Sequence, residues 1–200
     1  MSAKTDLEEI YQLLLRWIKQ YTGADLGQEI RKGTPLRASK ALIELTSGYN
    51  MDEKEVLGKV FEEKGSDLVY ETVEFYSLCE HHLLPFYGKI HIAYMPSKNV
   101  VGLSKLAKLV EMYSRRLQIQ ERLTNQVADA LWFNEDLRPK AVFVMVEGKH
   151  LCMMMRGIKK ERTVTITTAT RGLPDKVEKF EEKVLRIIKR EKKHEVEKVG

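Results

Sequence analysis

Cysteine is scarce in this chain of 200 residues: there are two, Cys79 and Cys152. A pair so far apart is no disulfide framework of the kind that staples small secreted domains. Long apolar runs are missing as well. None approaches the ~20 residues that a membrane-spanning helix needs, so no membrane is expected as partner. The opening residues, MSAKTDLEE, hold no apolar signal segment and turn acidic at once. A cytoplasmic protein is expected, in a compartment that keeps thiols reduced and makes a metal a better use for two cysteines than a disulfide. Internal repeats and low-complexity linkers are absent too. The net charge is only +5, with Lys and Arg mixed among Glu throughout. No basic stripe with interleaved aromatics occurs, so nucleic acid is not expected; a small anionic substrate accounts for the excess equally well.

What is present is an ordinary globular composition, 43% hydrophobic and 32% charged, enough for one domain with an accessory helical region. Leu7, Ile10, Tyr11, Leu14 and Ile18 recur at helical spacing, predicting a helix over 5–21 with a capping box at Thr5 and Glu8. Residues 23–33 read as a connection. Thr34-Pro35 reads as the cap and first residue of a helix ending near Ser47-Gly48, and 53–63 as a third. From Asp67 the period changes to two, with strands expected over 67–75 and 88–94. Helices over 104–116 and 119–132 follow, then strands at 140–146, 151–156 and 164–168. A Lys/Glu-rich helix over 176–198 carries Val177, Phe180, Val184, Ile187 and Ile188 on one face. The fold class is α+β, divided as a helical region 1–65, a catalytic domain 66–173 and a charged helix 174–200.

Chemistry concentrates in Phe75–Pro96, FYSLCEHHLLPFYGKIHIAYMP, and in KHLCMMMRG around Cys152. Four of the five histidines (His81, His82, His91 and His150) lie in or beside these stretches. Thiolate and imidazole suit a borderline-soft divalent ion, so Cys79, His82 and Cys152 form a candidate zinc site. Three protein ligands leave one position open, the pattern of catalytic rather than structural zinc. His81 and His150 stand close enough in sequence to reach that position. A buried thiol beside satisfied core histidines is the plainer alternative. His91 reads as a packing or oligomer-contact residue.

Four blocks, SLCEHHLLPFYGKIHIAYMP, VVGLSKLAKLVEMYSRRLQIQERLTNQVADAL, HLCMMMRGIKKERTVTITTA and, more weakly, TPLRASKALIELTSGY, resemble the zinc-dependent GTP cyclohydrolase I family, in its order and spacing. The resemblance implies a tunnelling fold, an antiparallel sheet with two helices between strand pairs, assembling into a ring as a homodecamer with sites at subunit boundaries. It implies one Zn2+ per subunit and GTP as substrate. The implied reaction is hydrolysis to 7,8-dihydroneopterin triphosphate and formate, the entry to folate-type and biopterin cofactors, by a zinc-activated water attacking C8 of guanine.

By the same resemblance Glu121, with Gln120 beside it in QIQERL, takes the guanine edge, where a carboxylate can accept from both N1–H and the 2-amino group. Ser104 reads as a helix cap whose free amides suit phosphate, and Lys105 is a cation poorly placed for helix stability unless an anion binds there. Lys105, Arg156 and Arg37 are implied phosphate contacts. Lys108 stands where the family usually has arginine, keeping the charge and losing the bidentate fork. His81 and His150 are the implied proton carriers, in either order. A non-catalytic nucleotide-binding protein on the same scaffold, or a related enzyme acting on another purine or pterin, are the alternatives. The intact Cys-His-Cys set and the QxQER segment favour GTP. The charged C-terminal helix departs from the family's shorter ending.

Overall fold

The computed structural model describes residues 3–63 and 67–199, side chains of 3–5, 174–176, 195, 196, 198 and 199 excepted. The chain falls into two compact units, one ending at Ser47 and one starting at Gly48. The boundary expected at 65–66 falls at residues outside those described.

The first unit is a pair of helices, α1 (Ala3–Thr22) and α2 (Gln28–Leu45), packed on each other. α1 starts before the expected capping box, and the Thr5 side chain is among those not described. α2 starts well before Thr34, so part of the expected connection is helical and Pro35 sits inside the helix. Proline removes only the bond to the carbonyl four residues back. The other bonds carry the helix through, from Arg31 N donating to Gly27 O at 3.1 Å onward.

The second unit opens with α3 (Glu53–Leu57), capped by Asp52 and ended by Gly58, whose φ of +58° is a left-handed stop that glycine adopts without strain. This helix is shorter than its predicted span because the chain then forms β1 (Val60–Glu62). Strands β2 (Val69–Cys79) and β3 (Pro85–Met95) form a hairpin, followed by β4 (Asn99–Val101), which pairs antiparallel with β1. Helix α4 (Leu103–Ser114), the short β5 (Leu117–Gln118) and α5 (Gln120–Trp132) lead to β6 (Ala141–His150). A one-turn helix α6 (Leu151–Met154), β7 (Thr165–Gly172) and α7 (Pro174–Val199) complete the chain. The main sheet is mixed, in the order β5-β2-β3-β6-β7, with β5 parallel to β2 and every other pair antiparallel.

Residues 151–156 are thus not the strand expected of them. Register gives the reason: His150 pairs with Phe86, next to the first residue of β3, so the sheet offers no partner beyond it and the chain coils into α6.

Residues 90–94 of β3 and 141–146 of β6 are buried on both faces, which explains why these segments are apolar apart from His91. On one face Phe86, Ile90, Ile92, Val142, Val144 and Val146 pack under Leu106, Leu109, Leu123, Val127 and Leu131 of α4 and α5. On the other, Phe180, Val184 and Ile188 of α7 cover Ala93, Ala141, Phe143 and Met145. Burial at this scale is worth roughly 1.5–3 kcal/mol per large side chain. His91 is 1% exposed on that second face, where Nδ1 lies 2.8 Å from the Tyr70 hydroxyl and 3.0 Å from Thr72 Oγ1. It is a packing residue between the sheet and α7.

Candidate active site

The hairpin between β2 and β3 builds the first half of the site. Cys79, the last residue of β2, accepts at its carbonyl from the amides of His82 (3.2 Å) and Leu83 (2.8 Å), and donates its own N–H to Leu84 O at 2.9 Å. This turn is tight enough to hold Leu83 at φ +54°, a left-handed conformation costing a non-glycine residue roughly 1–2 kcal/mol. The result folds His82 back on the cysteine, with Nδ1 3.7 Å from Cys79 Sγ. His81 points outward, its side chain 65% exposed.

Two further contacts fix the turn. Glu80 N donates to Gln118 O at 3.0 Å, extending the β2–β5 pairing. The Glu80 carboxylate then takes both arms of the Arg122 guanidinium at 2.5 and 3.1 Å, tying the loop to α5. That partner holds the Glu80 carboxyl below the usual range. Sequence reasoning missed this pair, since the two residues lie 42 positions apart.

The second half arrives on β6. His150 lies opposite Phe86 in the β3–β6 register, and its ring stacks on the phenyl with centroids 4.5 Å apart and 5° between planes. Cys152 follows within α6. The Sγ atoms of Cys79 and Cys152 and a ring nitrogen of His82 all lie within 4.8 Å of one another, making these three residues a group that could hold a metal ion. A tetrahedral zinc with Zn–S of about 2.3 Å and Zn–N of about 2.0 Å needs ligand separations of about 3.5–3.8 Å, so the donor set fits with little movement. Burial pushes the Cys152 thiol up, and neighbouring Cys79 adds to the push. A cation between the two sulfurs reverses that preference, since a ligating thiol is deprotonated.

Burial lowers the His150 pKa, and the Glu121 carboxylate acts in the opposite sense, so the two are within electrostatic reach. Glu121 itself is exposed in the first turn of α5. Gln120, one residue earlier, is 2% exposed, and its side-chain oxygen Oε1 lies 2.9 Å from His150 Nε2. Arg156 is exposed just beyond α6, and its charge favours the Cys152 thiolate. Cys79, His82, Cys152, His150, Gln120, Glu121 and Arg156 therefore gather around one end of the sheet.

The remaining sites do not join them within the second unit of a single chain. Gly102, not Ser104, caps α4, so Ser104 lies inside the first turn, exposed, with Lys105 beside it and Lys108 one turn on. Lys105 lies over Gly58, where its ammonium comes 3.1 Å from the position a Cβ would take. The opposite end of α4 leads into β5, which pairs with Leu78 and Cys79. Twelve helical residues span about 18 Å, so Lys105 lies near the end of α4 away from the one that leads to Cys79, with Lys108 midway. Arg37, in the first unit, is exposed and bonded to Glu29 at 2.6 Å, which raises its already high pKa.

The family model of GTP cyclohydrolase I matches residues 8–189. Similar proteins named GTP cyclohydrolase 1 include that of Wolinella succinogenes, 49% identical over 161 residues, covering 80% of this chain and 85% of that protein. Another, from Deinococcus radiodurans, is 51% identical over 153 residues, covering 76% of this chain and 70% of the other. A third, from Clostridium perfringens, is 46% identical over 189 residues, which take in 94% of this chain and 99% of its own length. With a match of that extent, the chain belongs to the GTP cyclohydrolase I family.

Proposed function

We infer that this chain hydrolyses GTP to 7,8-dihydroneopterin triphosphate and formate, the first step toward pterin and folate-type cofactors. The observation that carries the reading is the meeting of Cys79, His82 and Cys152 beside His150. Those three residues would hold Zn2+, which when bound supplies a strongly acidified solvent molecule and a positive charge next to C8 of guanine.

The chain's own side chains do the rest. Glu121, exposed and acceptor-only, takes N1–H and the 2-amino group and fixes which edge of the purine enters. His150, with its ring held flat against Phe86, moves a proton at the purine ring as charge builds. His81, exposed on the turn, serves the leaving or ribose side, where a mobile donor can follow the opening ring. Ser104, Lys105, Lys108, Arg156 and Arg37 take the triphosphate, Lys108 as a point charge rather than a fork.

Lys105 stands near one end of α4 and Cys79 beside the other, so a complete site joins Arg156 of one copy with Lys105 of a second copy of the chain. That geometry supports a ring-forming tunnelling fold, with a homodecamer as the assembly. Among the described residues no helix is long and apolar enough to cross a membrane; a cytoplasmic location is the proposal.

The test is incubation of the purified protein with GTP, with product followed by pterin fluorescence and metal measured on the same sample. Turnover with about one zinc per subunit is the expected result. No pterin from zinc-loaded protein would overturn the reading.

A further inference from the structure

Gln120 makes all its polar contacts inside the protein. Its amide nitrogen lies 3.1 Å from Val146 O, 2.9 Å from Thr165 O and 3.2 Å from Thr167 Oγ1. Two of these are backbone carbonyls, which only accept, so this end of the side chain must be the NH2 and the amide cannot be flipped. Its oxygen is thereby aimed at His150 Nε2, 2.9 Å away. An amide oxygen only accepts, so Nε2 must carry a hydrogen. Phe86 stacks on the imidazole and removes the remaining freedom of the ring.

We propose that Gln120 is a positioning residue that locks His150 in the Nε2–H tautomer, so that every proton this histidine gives or takes passes through Nδ1. In the imidazolium form both nitrogens are protonated. The Nδ1 proton is then the one delivered, and the Nε2 proton stays on Nε2, bonded to Gln120 Oε1, throughout. The proposal rests on the reading of His150 as a proton carrier, and it replaces a direct role for Gln120 on the guanine.

Gly148 belongs to the same device. A Cβ there would overlap Gln120 Oε1, and would lie 3.0 Å from its Cδ and 3.5 Å from His150 Nε2. A glycine within an otherwise packed strand marks such a close approach. The amide is bonded on the far side to β6 and β7 and has nowhere to retreat, so a methyl group at 148 pushes its oxygen off the histidine.

The test uses the zinc-loaded enzyme. Neutron diffraction from deuterium-exchanged crystals should show a deuteron on His150 Nε2 bonded to Gln120; its absence overturns the proposal whatever the kinetics. Gln120→Met, close in shape and without polar atoms, should lower kcat by about ten- to a hundredfold with KM for GTP nearly unchanged and zinc retained. Gly148→Ala should give the same signature from a residue that touches neither substrate nor metal. A rise in KM equal to the fall in kcat would put Gln120 on the substrate, and loss of zinc would make it a scaffold for Cys152; either defeats the proposal. Full turnover by His150→Gln would instead sink the proton-carrier reading, while the diffraction result would still decide the tautomer.

Discussion

The rings of Phe86 and His150 lie parallel, 4.5 Å between centroids, because strand register sets the two residues opposite each other at the end of the sheet. The same register makes Phe86 fully buried, so it serves the core and the site together. Phe86→Leu keeps an apolar side chain but takes away the flat surface under the imidazole. Stability should fall by about 1–2 kcal/mol, and turnover by more than that loss accounts for, since the ring can then rotate. Thermal unfolding and kcat measured on one preparation check this; an unchanged kcat would mean that Gln120 alone holds the ring.

The two thiols make a sharper prediction. Cys79→Ser and Cys152→Ser should each lose tightly held metal and abolish turnover while leaving the sheet folded, since Cys79 ends a strand and Cys152 lies beyond one. Elemental analysis after dialysis against a chelator reads the first effect, and circular dichroism the last. A serine variant that keeps both zinc and activity would remove that residue from the ligand set.

Glu121→Gln tests the guanine contact. An amide accepts at one atom and donates at the other, so one of the two base donors loses its acceptor and meets an N–H instead. A loss on the order of tenfold in kcat/KM for GTP is expected. Equal kinetics for the two proteins would show that another group recognises the base.

The parts of this site that can be read from sequence are those whose chemistry is rare. A thiol three residues from an imidazole, with the only other thiol beside another histidine, narrows to one ligand set before any coordinates exist, and the set does meet. The helix at 151–154 was hidden because Leu151–Met155 is apolar throughout, and periodicity cannot separate a short buried strand from a helical turn. Pro35 misled in the opposite direction: the preference for proline at a helix start is strong, yet α2 carries one lost hydrogen bond and runs on. The burial of Gln120 and its bond to His150 could not be read from the sequence, because a polar residue in a first turn gives no sign of which way it faces. Gly148 was the available signal, a glycine where the strand pattern calls for a side chain.

His91 gives the protein an acid-sensitive joint between the sheet and α7. Tyr70 and Thr72 hold Nδ1, Glu191 of α7 lies 3.8 Å from it, and Glu147 lies 3.4 Å from Nε2 and pairs with Lys192. Burial is the largest influence and lowers the histidine's pKa, outweighing the attraction of Glu147 and Glu191; Lys192 and Lys89 add to the lowering. A histidine whose pKa is lower folded than unfolded binds its proton more readily in the unfolded chain. Its contribution is therefore complete above the ordinary value of about 6.5, and stability declines as pH falls below that. Melting temperature measured between pH 7.5 and 5.5 should fall, and the fall should shrink in His91→Gln. An identical slope in the variant would place the acid sensitivity elsewhere.

Subunit mixing tests the proposed division of the site between two copies. Lys105→Ala damages the phosphate end and leaves Cys79, His82 and Cys152 untouched; Cys152→Ser does the reverse. If each site combines the cysteines of one copy with the lysines of another, every site in either pure variant is defective. A ring assembled from an equal mixture then holds some sites with both halves intact. For random assembly that share is on the order of a quarter, so co-expressed variants should recover about a quarter of wild-type turnover. Simple blending of the purified variants should give almost none until subunits exchange. Failure of the co-expressed mixture to exceed the sum of its parts, with mixed rings verified by mass, would mean that one chain supplies both ends of its own site.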